Sequence, residues 1–262
     1  AYERELTKET VTKQDLYGWV DVPIEKLTYS GLHLYPEDTR IQVKIIDVDL
    51  VRIFTGIKDT NGQQVDDAMN FLLKNNVRVI RPDGVVIDGD NILMHDRFRL
   101  SLILRELSEL GDNISYKDKC CGKDVAVNIN SENLKFGEID DKFKKYWNSK
   151  EGRFDIRTHK HGTFYYYPLS CDLNAAYWAY VRENKEIDNG FLKLLPLLQD
   201  LNNITGDMKI LYDRYEELSK EQLGIHNTIA NNIDIAATQY VTVSCPTCGS
   251  SEFPIKFTKG IT

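Results

Sequence analysis

Several features that would assign a protein to a common class are missing from this sequence. No apolar run approaches the roughly 18 residues of a membrane-spanning helix, and the first residues are polar and charged, so we expect neither a membrane segment nor a secretory signal. The chain also has no glycine-rich phosphate loop, no G-x-S-x-G elbow and no H-E-x-x-H motif. No set of nucleophile, base and oxyanion hole can be assembled, which favours a non-enzymatic protein without a small-molecule substrate.

An excess of positive charge is also missing. The 262 residues include 33 Lys and Arg against 40 Asp and Glu, for a formal net charge of −7. This balance argues against a general nucleic-acid coat, although a local basic patch stays open. Hydrophobic residues make up 42% of the chain, including 14 Tyr and 10 Phe. That content is enough for a sizeable core and argues against a disordered chain.

The chain has five cysteines, an odd number that suits a reducing compartment better than a disulfide framework. Four of them form two close pairs, Cys120 with Cys121 and Cys245 with Cys248, while Cys171 stands alone. The C-P-T-C-G motif that begins at Cys245 can turn two thiolates toward one cation. A structural zinc needs four ligands, and the other pair could supply the remaining two.

We therefore predict one structural zinc bound by Cys120, Cys121, Cys245 and Cys248. The adjacent pair departs from the usual spacing of two residues between ligands. Because adjacent residues of a strand point to opposite faces, both thiols reach one ion only if the chain turns there. A pair of reduced thiols without metal stays open as the alternative, and a C-x-x-C redox site lacks its usual βαβ surroundings.

Hydrophobic periodicity predicts an α+β fold: small mixed sheets, a split zinc-ribbon-like pair of cysteine-tipped hairpins, and a helical insertion between the hairpins. We divide the chain into four parts. These are an N-terminal arm (1–30), an α+β domain (31–135), a mainly helical insertion (136–238) and a C-terminal cysteine hairpin that packs back on the first domain (239–262).

Individual segments carry more specific predictions. Apolar spacing predicts helices over 65–73 and from about 90 to 110, and a short amphipathic helix that includes Phe136 and Phe143. A long helix is expected from Thr205 through Leu223, with Gly224 as its kink or end. Alternation predicts hairpins around both cysteine pairs. It also predicts two strands, 154–156 and 163–167, that are joined by a polar turn at His159–His161.

The stretch from Ile41 to Phe136 resembles a known family. The features that carry the resemblance are an Asp-Gly-Asp triplet at 88–90, His95-Asp96-Arg97, the leucine-rich segment 100–105, and the approach to the cysteines at 116–121. This layout is similar to the baseplate hub and hub-assembly proteins of T-even-type contractile-tail bacteriophages. The resemblance implies a non-enzymatic virion protein of the tail baseplate, made in the bacterial host cytoplasm, whose partners are other tail and baseplate proteins.

Three functions stay open at this point. The first is a structural subunit of the baseplate, and the second is an assembly chaperone that is absent from the finished virion. The third is a zinc-ribbon nucleic-acid-binding protein, which five lysines near the cysteine pairs would serve: Lys117, Lys119, Lys123, Lys256 and Lys259. The aromatic run at 164–167 could stack on single-stranded nucleic acid, but sheet packing or a protein-binding edge is the favoured interpretation.

Overall fold

The structure is a computed structural model. It describes residues 18–45, 62–108, 114–121, 123–184, 186–188, 190–202, 204–234, 239–243, 247–249 and 253–256. Within these residues the fold is α+β, with seven α-helices and several small sheets. Every strand pairing described is antiparallel, so the predicted mixed sheets are wrong. The pairing of β4 (Arg40–Lys44) with β5 (Val77–Ile80) shows the reason. Val43, near the end of β4, pairs with Val77, the first residue of β5, so β5 runs back along β4 in the opposite direction.

The first sheet has the order β1–β4–β5–β6, with β1 at Trp19–Asp21 and β6 at Val86–Asp88. Ile41 and Val43 lie in the core, as their alternation predicts. The opposite face is not solvated, because Gln42 is buried as well and accepts a hydrogen bond of 2.7 Å from Arg78 Nε. Helix α1 (Gly62–Asn76) leads directly into β5.

Part of the predicted N-terminal arm is built into this region. Strand β1 pairs with β4, a 3₁₀ turn spans Ile24–Leu27, and β2 (Thr28–Tyr29) pairs with β3 (Leu32–His33). Leu27 and Tyr29 belong to the hydrophobic core. Residues 1–17 of the arm lie outside the described residues. The described part of the arm is therefore a component of the fold.

The predicted helix near residues 90–110 is shorter than expected. A 3₁₀ turn at Gly89–Asn91 comes first, and helix α2 runs over Met94–Leu107. Leu93 is extended and forms a β-bridge with Ser170, which delays the start of the helix. Most of α2 is buried, on more than one face, as expected for a helix packed on several sides.

Both predicted cysteine hairpins are present. Strands β7 (Ile114–Cys120) and β8 (Lys123–Ile129) form one, and β13 (Gln239–Val243) and β14 (Phe253–Lys256) form the other. A short strand β9 (Lys135–Phe136) adds to β13. The predicted amphipathic helix that includes Phe136 is therefore wrong at its start, because Phe136 pairs with Gln239 of β13 in a sheet. The observed helix α3 spans only Asp141–Lys144.

The segment predicted to be mainly helical also contains a sheet. Strands β10 (Trp147–Asn148), β11 (Arg153–Thr158) and β12 (Gly162–Tyr166) form it, and the predicted turn at 159–161 joins the last two. The helices that follow are α4 (Cys171–Glu183), α5 (Gly190–Leu194), α6 (Met208–Glu216) and α7 (Lys220–Ile233). One hydrophobic core cluster includes residues from all of these regions, from Val22 to Val241.

The long helix predicted from Thr205 is two helices. The break falls between Glu216 and Lys220, and Ser219 starts α7 with a capping box that it shares with Gln222. Gly224 lies inside α7, so it is neither a kink nor an end. The S-x-x-Q pattern of the capping box was present in the sequence and marks the true boundary.

Candidate functional site

The two cysteine-tipped hairpins arise from one part of the core. At the base of the first, Ile129 is fully buried, and at the base of the second, Val241 is almost fully buried. Strand β13 contacts β8, and β9, which pairs with β13, follows β8 after a short turn. Two hairpins that are far apart in sequence therefore start side by side in the fold.

The first hairpin turns at its cysteines, as both ligands of one ion require. Cys120 ends β7 and pairs with Lys123, and Cys121 follows with φ of +55°. This left-handed conformation is uncommon for a residue with a side chain and belongs to tight turns. The backbone therefore leaves the strand conformation at Cys121. Cys121 is exposed at the tip.

The second hairpin has a comparable tip. Cys248 lies in an exposed turn, and Gly249 follows with φ of +67°, a conformation that glycine adopts without strain. This is the glycine that the C-P-T-C-G motif places after its second cysteine. Cys245 and the side chain of Cys120 lie outside the described residues. The described side chains hold no group of three or more His, Cys, Asp or Glu that could bind a metal, and the four-cysteine zinc site stays a prediction.

Cys171, His159 and His161 lie in other elements of the fold than the two cysteine hairpins. Cys171 begins α4 in the core, and burial raises the pKa of its thiol to about 12, so it stays protonated at neutral pH. His159 and His161 lie in the turn between β11 and β12, and His161 Nε2 is 3.4 Å from Glu221 Oε1. A thiol that keeps its proton is a poor metal ligand.

A buried polar cluster that sequence reasoning missed lies where α2 meets the β2–β3 hairpin. Asp96 is fully buried and accepts hydrogen bonds from two tyrosines: Tyr29 Oη donates to Oδ1, and Tyr35 Oη donates to Oδ2 over 2.7 Å. Tyr35 Oη also accepts the Leu93 amide at 3.0 Å. The His95 ring packs edge-on against Tyr29, with ring centroids 4.5 Å apart.

Burial sets the protonation of this cluster. Desolvation, followed by the nearby Asp96 charge, raises the pKa of Tyr29 and Tyr35 well above 10. Desolvation also lowers the pKa of His95 below 6.5, which outweighs the opposite effect of Asp96. The tyrosines are therefore donors and His95 is neutral at pH 7. The cluster is closed to solvent, and its hydrogen bonds fix the start of α2 against the β2–β3 hairpin.

An exposed cleft lies between α1 and α4. It encloses about 430 Å³, and Phe71, Asp90 and Ala175 are among its lining residues. Phe71 is 48% exposed, and Trp178, one turn after Ala175 on the exposed side of α4, is 45% exposed. Two large aromatic side chains are thus left in solvent beside a concave surface.

Within the described residues, no helix has the length and apolar character needed to cross a membrane. Comparison of the chain with models of protein families, with curated proteins and with solved structures gave no match.

Proposed function

We propose that this protein is a structural subunit of a contractile-tail phage baseplate that binds other tail and baseplate proteins. The observation that carries the proposal is the cleft between α1 and α4, with Phe71 exposed in its lining and Trp178 exposed one turn after Ala175 on α4. The resemblance of residues 41–136 to baseplate hub and hub-assembly proteins supplies the biological setting. In that setting the protein is made in the bacterial cytoplasm and becomes part of the virion.

Exposure of a large aromatic side chain to water is unfavourable in free energy, and binding of a partner that covers the side chain removes this cost. Burying a phenylalanine or tryptophan removes roughly 150–250 Å² of surface from water, and tryptophan is among the residues that dominate binding energy at protein interfaces. Phe71 lines the concavity, where an apolar side chain of a partner could pack against it, and Trp178 adds exposed aromatic surface further along α4. Asp90, which forms an ion pair of 2.9 Å with Lys74, provides a polar rim.

A structural zinc bound by Cys120, Cys121, Cys245 and Cys248 is the second part of the proposal. Four thiolates saturate a tetrahedral zinc, so the ion has no open position for catalysis and no redox role. The first and third of these cysteines are 125 positions apart. A bond through the metal would close this long loop and hold both hairpins together, which stabilises the segment between them.

Quantitative mass spectrometry of purified phage particles tests the assignment to the virion. In particles of the phage that encodes this protein, we expect it to be present at a fixed ratio to the other tail proteins. The Phe71→Ala variant should be incorporated at least several-fold less, because Phe71 lines the cleft. Ile204→Ala, which removes an exposed apolar side chain that does not line the cleft, is the matched control and should be incorporated normally.

Two outcomes would count against this proposal. A protein that assembly requires but that is absent from finished particles would be an assembly chaperone. Incorporation of Phe71→Ala at the wild-type level would show that the α1–α4 cleft is not the binding surface. Circular dichroism of the variant should show an unchanged fold, because Phe71 is an exposed side chain.

A further inference from the structure

A groove of about 550 Å³ lies between α3, β11 and α7, and it shares no lining residue with the α1–α4 cleft. Its floor is apolar and consists of Phe143, Ile156 and Ile229, all of which are buried. Tyr146 and Ile225 are half-buried and form its walls. Its lining therefore combines a buried apolar floor with half-buried apolar walls, which suits apolar side chains of a bound segment.

The rim of this groove is basic, although the chain as a whole has a net charge of −7. Lys142, Lys145 and Arg157 line it against a single acid, Glu221. Lys142 forms an ion pair of 2.8 Å with Asp140. Lys145 and Arg157 are exposed and form no ion pair within the described residues. Lys145 Nζ lies 5.0 Å from the centroid of the Tyr146 ring, a contact that leaves its charge uncompensated by an acid.

Gly224 leaves additional space beside the rim. It lies inside α7, where glycine is less favourable than alanine. Apart from its chain neighbours and the backbone of its own helix, no described atom lies within 4 Å of the position that a Cβ would occupy, so packing does not require glycine here. Gly224 is also one of the residues that line the groove.

We propose that this groove binds a short amphipathic segment of a partner protein, with apolar side chains on the floor and acidic side chains beside Lys145 and Arg157. An apolar floor alone would accept many sequences. The two exposed cations make acidic segments the complementary class and disfavour basic ones. The inference concerns a surface separate from the cleft, and it holds whether or not the protein belongs to a baseplate.

Selection of peptides that bind the full-length protein tests the proposal and does not require the natural partner to be known. A library of random 15-residue peptides displayed on their messenger RNA is selected for binding at low salt, and recovered peptides are measured by fluorescence anisotropy. We expect peptides with net negative charge and clustered apolar residues, whose affinity falls as salt increases. Recovery of no binders, or of basic peptides only, would overturn the proposal.

Two sets of variants then locate the binding surface. Gly224→Phe places a ring in the groove and should weaken binding at least about 10-fold, while Asn231→Phe, which changes an exposed residue of the same helix outside the lining, should not. The double change Lys145→Glu with Arg157→Glu should weaken acidic peptides about 10-fold, as expected for two reversed exposed charges. The matched control is Arg182→Glu with Lys209→Glu, which reverses two exposed charges elsewhere.

The thermal unfolding midpoint of each variant is measured in parallel. Gly224→Phe and the charge reversals change exposed positions, so we expect midpoints within a few degrees of wild type. If Gly224→Phe fails to fold, the charge-reversal pair and its control decide the question. Peptides that bind both groove variants with wild-type affinity would contradict the proposed surface. The baseplate assignment would be untouched by that result, because it is tested by incorporation into particles.

Discussion

Replacing Tyr35 with phenylalanine tests the role of the buried cluster around Asp96. The Tyr35 hydroxyl donates to Asp96 Oδ2 over 2.7 Å and accepts the Leu93 amide over 3.0 Å. Its loss leaves both a buried carboxylate oxygen and a buried N–H without that partner. In Tyr29→Phe, by contrast, only one hydrogen bond to Asp96 is lost. Tyr35→Phe should therefore be the more harmful of two otherwise similar changes.

The magnitude follows from the number of groups left without a partner. Each buried polar group that loses its hydrogen bond costs about 1–3 kcal/mol, and a charged group costs more. Two groups lose a partner in Tyr35→Phe, so we expect the free energy of unfolding to fall by about 2–6 kcal/mol, against about 1–3 kcal/mol for Tyr29→Phe. Tyr165→Phe, at a half-buried ring for which no side-chain hydrogen bond is described, should stay within about 0.5 kcal/mol.

Urea unfolding at pH 7, followed by tryptophan fluorescence, measures these differences. The double variant Tyr29→Phe with Tyr35→Phe completes a mutant cycle, and because both hydroxyls bind one carboxylate we expect the two losses to be non-additive. Equal effects of the two single changes would refute the reasoning, since they would mean that the Leu93 amide gains nothing from Tyr35. Effects below about 0.5 kcal/mol for both would show that the cluster does not stabilise the fold.

Three further predictions concern stability. Burial lowers the pKa of His95 and His226 below 6.5, so below about pH 6.5 the unfolded chain binds protons that the folded chain does not. The free energy of unfolding should therefore be highest above that pH and fall below it by up to about 1.4 kcal/mol per pH unit for each histidine. Urea unfolding between pH 7.5 and 5 measures this slope, which His226→Asn should reduce. Leu27→Ala should cost about 2–5 kcal/mol in the same assay, because Leu27 is 1% exposed, whereas a loosely attached arm would show almost no change. Gly224→Ala should raise the free energy of unfolding by about 0.5–1 kcal/mol, and a decrease would show that the open space described over Gly224 is not there.

Local patterns were sufficient for the elements whose partners are close in sequence. The β7–β8 hairpin follows from alternation on both sides of Cys120 and Cys121, and the structure pairs Ile114 with Ile129 as that alternation requires. The turn between β11 and β12 follows for the same reason. In both cases the strands are joined by a few residues, so the local sequence contains nearly all the information that sets their register.

Predictions were wrong where distant parts of the chain decide. Phe136 has helical spacing with Phe143, yet β13 pairs with it through Gln239. The boundary at Ser219 is a separate, local case: its S-x-x-Q capping pattern, and not Gly224, marks where the helix changes. In an exposed helix a glycine is tolerated at modest cost, whereas a satisfied cap fixes a helix start.

The candidate sites differ in how much of them the sequence contains. The cysteine pairs stand out by spacing alone. The Asp96 cluster does not, because Tyr29 and Tyr35 are more than 60 positions from the carboxylate. The basic groove was also missed, since Lys145, Arg157 and Gly224 come from three separate elements that only the tertiary fold brings together.

The most direct test of the zinc-bridged hairpins is X-ray absorption at the zinc edge on the full chain, purified without chelator. The account predicts about one zinc per chain, surrounded by four sulfur atoms at about 2.3 Å. The Cys245→Ser and Cys248→Ser variants should lose the metal, while Cys171→Ser should keep it. A wild-type protein without zinc, or a zinc whose shell contains mainly nitrogen and oxygen, would contradict the four-cysteine site.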